Sequence, residues 1–180
     1  MQSRGYFAIG VESVSKPMNF GNLSRTAYGF GAAFVFTIAA QQRVLEPESD
    51  TGASYDHMPW YAFGSVEELR LPEACTLVAV ELTDDAIELP SFRHPQRAAY
   101  VLGPEGGSVS PALLAKAAFT VKIPTRFCLN VATAGAVVMY DRTSSMGRFA
   151  ERPVRAGGPV EELAAHVHGK KLYSGAQLVR

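Results

Sequence analysis

AAYVLGPEGGSVSPALLAKAAFTVKIPTRFCLNVATAGAVVMYDR, residues 98–142, decides how the rest of this chain is read. It holds two short apolar runs of strand character, Ala98–Leu102 and Phe119–Ile123. Neither closes on a hairpin turn. The first runs into Gly103-Pro104-Glu105-Gly106-Gly107, the second into Pro124 and, further on, Asn130. An open parallel sheet binds its ligand beyond the carboxyl ends of its strands. Two such ends about twenty residues apart therefore point to one shared pocket.

Outward from this stretch, strand-like and helix-like segments alternate. Tyr6–Val14 reads as a strand that Lys16-Pro17 breaks, and Asn19–Phe30 as a helix entered through a loop. Ala32–Ala39 and Thr76–Leu82 are buried strands, and Gln41–Tyr61 is a long polar loop. Gly64 is followed by Ser-Val-Glu-Glu, which predicts a helix start over Ser65–Arg70. Leu89–Arg97 is a basic loop, Ser110–Ala118 a helix, and Asn130–Phe149 a last helix with Val131, Ala134, Val137, Val138 and Tyr140 on its buried side. Such alternation predicts an α/β fold with a mostly parallel sheet flanked by helices. The expected organisation is one domain over residues 1–150 and a weakly packed extension over 151–180, the latter with a short helical stretch at Val160–His168.

Bulk properties narrow the function classes. The chain has 180 residues and no net charge, with 17 Lys/Arg against 17 Asp/Glu. The charge is unevenly spread: residues 1–43 carry +3, residues 44–88 carry −10 and residues 89–180 carry +7. Basic ends on a neutral chain can still attract phosphate. No run of eighteen apolar residues is present, so no membrane partner is expected. The N-terminal MQSRGYFAIG lacks a signal-peptide layout, and the two cysteines, Cys75 and Cys128, form no framework, so a cytoplasmic setting is expected.

Three clusters carry chemistry. Asn19, Gly21, Asn22 and Arg25 combine a helix start with a fixed cation, against the plainer reading of an Asn cap and a surface Arg. Gly103–Ser108 lets a ligand approach the main chain and sets Glu105 inside a Gly turn. Pro124–Asn130 leads into Val131-Ala132-Thr133-Ala134-Gly135-Ala136, whose small residues suit close packing on a helix or a ligand. There is neither a P-loop nor a GxGxxG fingerprint, which excludes nucleotide triphosphate hydrolysis. His57, His94, His166 and His168 lack zinc spacing, so no metal is expected. Ser108 and Ser110 lack a nucleophile elbow, and Cys128 has no base supplied by the sequence.

Taken in order, PMNFGNLSRTAYGFGA (17–32), VLGPEGGSVS (101–110) and IPTRFCLNVATAGAVVMYDR (123–142) resemble the motifs of the SPOUT superfamily, in particular its SpoU/TrmH-type RNA 2′-O-ribose methyltransferases. The resemblance spans residues 6–148 and implies a SPOUT α/β-knot, with a deep C-terminal trefoil knot formed after the Gly-Pro-Glu-Gly strand. It implies S-adenosyl-L-methionine (AdoMet) as cofactor, held by Leu102, Gly103, Glu105, Gly107, Ile123, Pro124, Leu129, Asn130 and Ala132. The residues it marks as catalytic are Asn19, Arg25, Glu105 and Asn130. A minimal domain of this kind works as a homodimer, here through the helix Val131–Tyr140 and the first helix. Substrate tRNA or rRNA would meet Arg93, Arg97, Lys122, Arg126, Arg142 and Arg148. Two departures stand out: Cys128 sits where the family commonly has Ser, and only Thr125-Arg126-Phe127 separates Pro124 from Cys128-Leu129-Asn130. These departures support one alternative to ribose methylation, a catalytically inactive knotted RNA-binding or assembly protein; the other alternative is a base methyltransferase, against which the resemblance sets the Asn19…Arg25 motif.

Overall fold

Seven parallel strands form the sheet in this computed structural model, which describes residues 5–44, 58–147, 149–150 and 152–158. In chain order the elements are β1 (Tyr6–Glu12), α1 (Pro17–Gly29), β2 (Phe34–Ile38), a 3-10 turn (Gln42–Val44), β3 (Trp60–Phe63), β4 (Thr76–Val80) and β5 (Ile87–Glu88). There follow a second 3-10 turn (Leu89–Ser91), β6 (Arg97–Leu102), α2 (Pro111–Lys116), β7 (Phe119–Lys122) and α3 (Val131–Met146). The strand order is β3-β2-β1-β6-β4-β7-β5. Two compact units divide the chain, Met1–Ser145 and Met146–Arg180. All that follows concerns the first. The short helix read at Val160–His168 and the basic Arg148 lie outside the described residues.

Side-chain alternation along the strands makes two cores. Phe7, Ile9 and Val11 of β1 pack with Phe20 and Leu23 of α1 and with Val138 and Met139 of α3. Ala8 faces the other way, with Phe36 of β2, Ala99 and Val101 of β6 and Leu113 of α2. This period of two is the physical reason a parallel sheet needs helices on both faces. Gly10 of β1 has no side chain because Phe36 fills the space: an added Cβ would lie 2.5 Å from the Phe36 ring. Gly135 does the same for helix packing, since a Cβ there would meet Leu23 Cδ1 at 2.3 Å. The small residues of α3 thus bring α3 against α1 within one chain.

Several expectations are corrected. The polar segment 41–61 ends in strand β3, parallel to β2 with Val35 opposite Trp60. No helix forms over Ser65–Arg70, where the backbone makes only a turn. Glu68 Oε2 accepts the Gly64 N–H at 2.9 Å, so a cap-like bond forms, but Pro72 follows too soon for a helix to propagate. Helix α1 begins at Pro17, which occupies its first turn instead of merely ending a strand. Tyr140, expected to be buried, is 58% exposed.

Candidate functional site

The connection from β6 through α2 to β7 skips a strand. β7 pairs not with β6 but with the far side of β4, Val78 opposite Phe119. The two strand ends singled out in the sequence therefore flank the end of β4, and the pocket spans all three. A cavity of about 580 Å³ opens there, walled by Leu102–Ser108 from the end of β6, Val80–Leu82 from the end of β4, and Lys122, Ile123, Thr125 and Cys128–Val131 from the end of β7 onward. That volume is within the range of small-molecule sites, roughly 300–1,000 Å³.

One chain of hydrogen bonds joins the three clusters at the rim of this cavity. Asn19 Nδ2 donates to Glu105 Oε1 at 2.7 Å. Asn130 Nδ2 donates to Asn19 Oδ1 at 3.1 Å. Asn130 Oδ1 in turn accepts the N–H groups of Ala132 at 3.0 Å and Thr133 at 3.4 Å, which makes Asn130 the cap of α3. Glu105 Oε2 accepts both the N–H and the hydroxyl of Ser15, each at 3.1 Å. Gly106, at φ 74°, lets the turn Pro104–Gly107 close beneath Glu105.

Burial alone would raise the Glu105 carboxyl, but the hydrogen bonds from Asn19 and Ser15 outweigh it and hold the group below the usual Glu value. A lowered folded value stabilises the fold above the ordinary Glu value, and that contribution fades as pH falls toward the lowered one. Urea unfolding from pH 7 to pH 3 should therefore show a shallower pH slope for Glu105→Gln than for wild type. Equal slopes would remove Glu105 as an ionised anchor.

Two further carboxylates, unmarked in the sequence reading, brace the same loop. Glu12, only 5% exposed, accepts the Ser110 N–H at 2.7 Å and the Ser110 hydroxyl at 2.5 Å. Glu81 Oε2 accepts the Val109 N–H at 2.6 Å. Both acids end an apolar strand run, YFAIGVE and TLVAVE. A charge closing an apolar strand must emerge at the sheet's carboxyl edge, and that repeated Val-Glu ending was the available signal. Among the described residues no group of His, Cys, Asp and Glu could hold a metal ion.

Of the residues expected around a cofactor, Leu102, Gly103, Glu105, Gly107, Ile123, Leu129 and Asn130 line the cavity. Pro124 and Ala132 do not: Pro124 is exposed and Ala132 is buried beneath the start of α3. Lys16, Glu81, Lys122 and Cys128 line it as well. Arg25 is exposed on α1 and is not among the lining residues. A loop-to-helix turn between Asn19 and Arg25 would bring the two side chains together, but none lies there. Both are helical, so Arg25 lies about 9 Å further along the axis and about 120° around it.

The cations expected to meet RNA also separate. Arg142 is buried, 6% exposed, and cannot contact a macromolecule. Arg97 is exposed but starts β6, about 16 Å from the cavity end of that strand, and Arg93 is exposed in the segment before it. Lys122 Nζ donates to the carbonyls of Thr83 and Asp84 at 3.3 and 3.2 Å. Arg126 is exposed. No described helix is long and apolar enough to cross a membrane.

The chain is similar to several known proteins. The chain is 28% identical over 141 residues to the mouse (Mus musculus) tRNA (guanosine(18)-2′-O)-methyltransferase TARBP1, and the match covers 72% of this chain but 9% of that protein. The SpoU methyltransferase AviRb from Streptomyces viridochromogenes, solved in complex with the cofactor AdoMet, superposes with a TM-score of 0.69 at 21% identity, over 82% of this chain and 61% of that one. A structure solved to explain the 2-OH methylation of C/U34 on tRNA superposes with a TM-score of 0.67 at 24% identity, over 81% and 94% of the two chains. Residues 6–140 match the model of the SpoU rRNA Methylase family, and the chain belongs to that family.

Proposed function

We propose that this chain transfers a methyl group from AdoMet to a ribose 2′-hydroxyl of tRNA or rRNA. The observation that carries this reading is the Glu105–Asn19–Asn130 chain, which ties all three motif loops to one cavity rim. The cavity suits the cofactor: Leu102, Ile123 and Leu129 offer apolar walls, and Gly103 and Gly107 leave the main chain approachable. AdoMet, when bound, supplies an electrophilic methyl on a sulfonium. The chain's own residues then have two tasks, alignment of the ribose and stabilisation of its oxygen as the proton leaves.

Glu105 and Asn130 have their side chains committed to the loops, so they hold the cavity in shape. Both polar atoms of Asn19 are engaged by those two residues, so Asn19 positions the rim instead of orienting Arg25. Arg25 is assigned to the 2′-oxygen and an adjacent phosphate, where its guanidinium offsets developing negative charge. It is a donor and not a base, so water or phosphate receives the proton.

We infer a homodimer through α1 and α3, supported by Met18 (73% exposed), Tyr28 (50%) and Tyr140 (58%) on those helices. One copy then presents RNA to the other's cavity. The same reading takes the segment after β6 as knotted and places the protein in the cytoplasm.

The test is transfer of labelled methyl from AdoMet to RNA, followed by nucleoside analysis. A labelled 2′-O-methyl nucleoside is expected. A labelled base would move the reaction to base methylation. Absent transfer together with undetectable AdoMet binding would favour an inactive RNA-binding protein, a reading the exposed Cys128 at the cavity keeps in play.

A further inference from the structure

We propose that Phe127 is a stacking platform for an unpaired nucleobase, seating the nucleotide whose ribose enters the cavity. The proposal rests on the RNA methyltransferase reading and adds to it a residue that selects single-stranded substrate.

Phe127 is 74% exposed in the short segment between β7 and α3. Its neighbours Thr125, Cys128 and Leu129 line the cavity, whereas Phe127 does not. The ring therefore stands on the rim, outside the space a cofactor would fill. A single exposed ring is ordinary on a protein surface, but at the rim of a cavity it offers a flat apolar face to what the cavity admits.

The ring is displayed from a braced backbone. Thr125 donates its N–H to the Ile123 carbonyl at 2.8 Å, and its hydroxyl donates to the Phe127 carbonyl at 2.8 Å. Asn130 fixes the other end of the segment as the cap of α3. A fixed aromatic loses little conformational entropy on binding.

Charge decides between RNA and a second copy of the chain as the occupant. From the end of β7 to the end of the small-residue stretch of α3, residues 122–140, the chain contains no Asp or Glu and two cations, Lys122 and Arg126. Arg126 adjoins the ring and is exposed, and Lys16, also exposed, lines the same cavity. A flat ring beside exposed cations matches a base flanked by phosphates. Unstacked bases are commonly held in this way, on aromatic faces next to a basic track.

Three variants test the assignment: Phe127→Ala, Phe127→Leu and Phe127→Trp. Phe127→Ala should raise KM for RNA about 10- to 100-fold with the AdoMet dissociation constant unchanged. Phe127→Leu, which keeps apolar area without a ring, should resemble Phe127→Ala, and Phe127→Trp should restore KM. A second readout does not need turnover: adding a single-stranded oligoribonucleotide to Phe127→Trp should quench tryptophan emission beyond the wild-type change from Trp60. That quench in a protein that transfers no methyl would retain the platform and remove the methyltransferase reading. An unchanged KM, or no extra quench, overturns the proposal. So does conversion of Phe127→Ala to a monomer in sedimentation, which would assign the ring to the interface between copies. Weakened AdoMet binding overturns it too, by making the ring part of the cofactor wall.

Discussion

Arg25→Ala should lower methyl transfer at least about 100-fold while AdoMet affinity and unfolding midpoint stay near wild type. The magnitude is that of removing one donor aimed at a developing oxyanion, about 10²–10³ in rate. The selectivity follows from position. Arg25 is exposed on α1 and outside the cavity lining, so its loss opens no core space and leaves the Asn19–Glu105–Asn130 chain whole. Surface substitutions of this kind shift stability by about 0.5 kcal/mol or less. Arg25→Lys should recover only part of the rate, because an ammonium cannot present two parallel donors to an oxygen and a phosphate. Single-turnover rates with saturating AdoMet, paired with calorimetry of AdoMet binding, check both halves. A variant that keeps its rate would show that Arg25 does not serve the chemistry. One that loses cofactor binding would show a role in shaping the cavity instead.

What the sequence disclosed depended on how local each signal was. The strands β1, β4, β6 and β7 are short apolar runs closed by Gly, Pro or an acid, and their periodicity survives folding because both sheet faces are covered. Strand β3 was hidden because Trp60–Phe63 is a half-buried edge strand following a polar segment. Nothing local distinguishes such a piece from a loop. The meeting of Asn19, Glu105 and Asn130 could be anticipated only from motif order, since residues 86 and 111 positions apart in sequence share no local pattern. The insertion of β4 between β6 and β7 is a matter of topology, and it widened the pocket from two strand ends to three. Arg142 shows the opposite failure. A basic residue late in a basic half reads as solvent-facing, and only the fold reveals that it is enclosed.

That enclosure supports the second large effect: Arg142→Ala should destabilise the domain by about 3–5 kcal/mol, the cost of breaking a buried charged network. The guanidinium of Arg142 donates to the carbonyls of Pro95 at 2.6 Å and Gln96 at 2.9 Å, and to the Tyr100 hydroxyl at 3.1 Å. It also lies 5.4 Å from the centre of the Phe7 ring. From Tyr100 the chain continues outward to the partly exposed Asp141: the Tyr100 hydroxyl, kept protonated by burial, donates to His94 Nδ1 at 2.6 Å, and His94 Nε2–H donates to Asp141 Oδ2 at 2.9 Å. This direction of bonds requires neutral His94. Burial lowers its pKa, and although Asp141 opposes that shift, the lowering prevails. A lowered folded value means that His94 stabilises the domain above the ordinary His range and ceases to do so as pH falls below it. Arg142→Ala removes in one step the donor to three carbonyls, those of Tyr6, Pro95 and Gln96, and to the Tyr100 hydroxyl, which is why its effect should exceed that of a surface Arg. Arg142→Met would restore most of the packing volume and still leave those acceptors without a donor, so it should recover only part of the loss. Urea unfolding of the three proteins at pH 7.5 and pH 5.5 separates the contributions. The wild type should lose stability between the two, and Arg142→Ala should lose less, because protonated His94 then no longer faces a second buried cation. A loss under about 1 kcal/mol at pH 7.5 would mean that water reaches these carbonyls once the side chain is gone, and that Arg142 is not what anchors the start of β6.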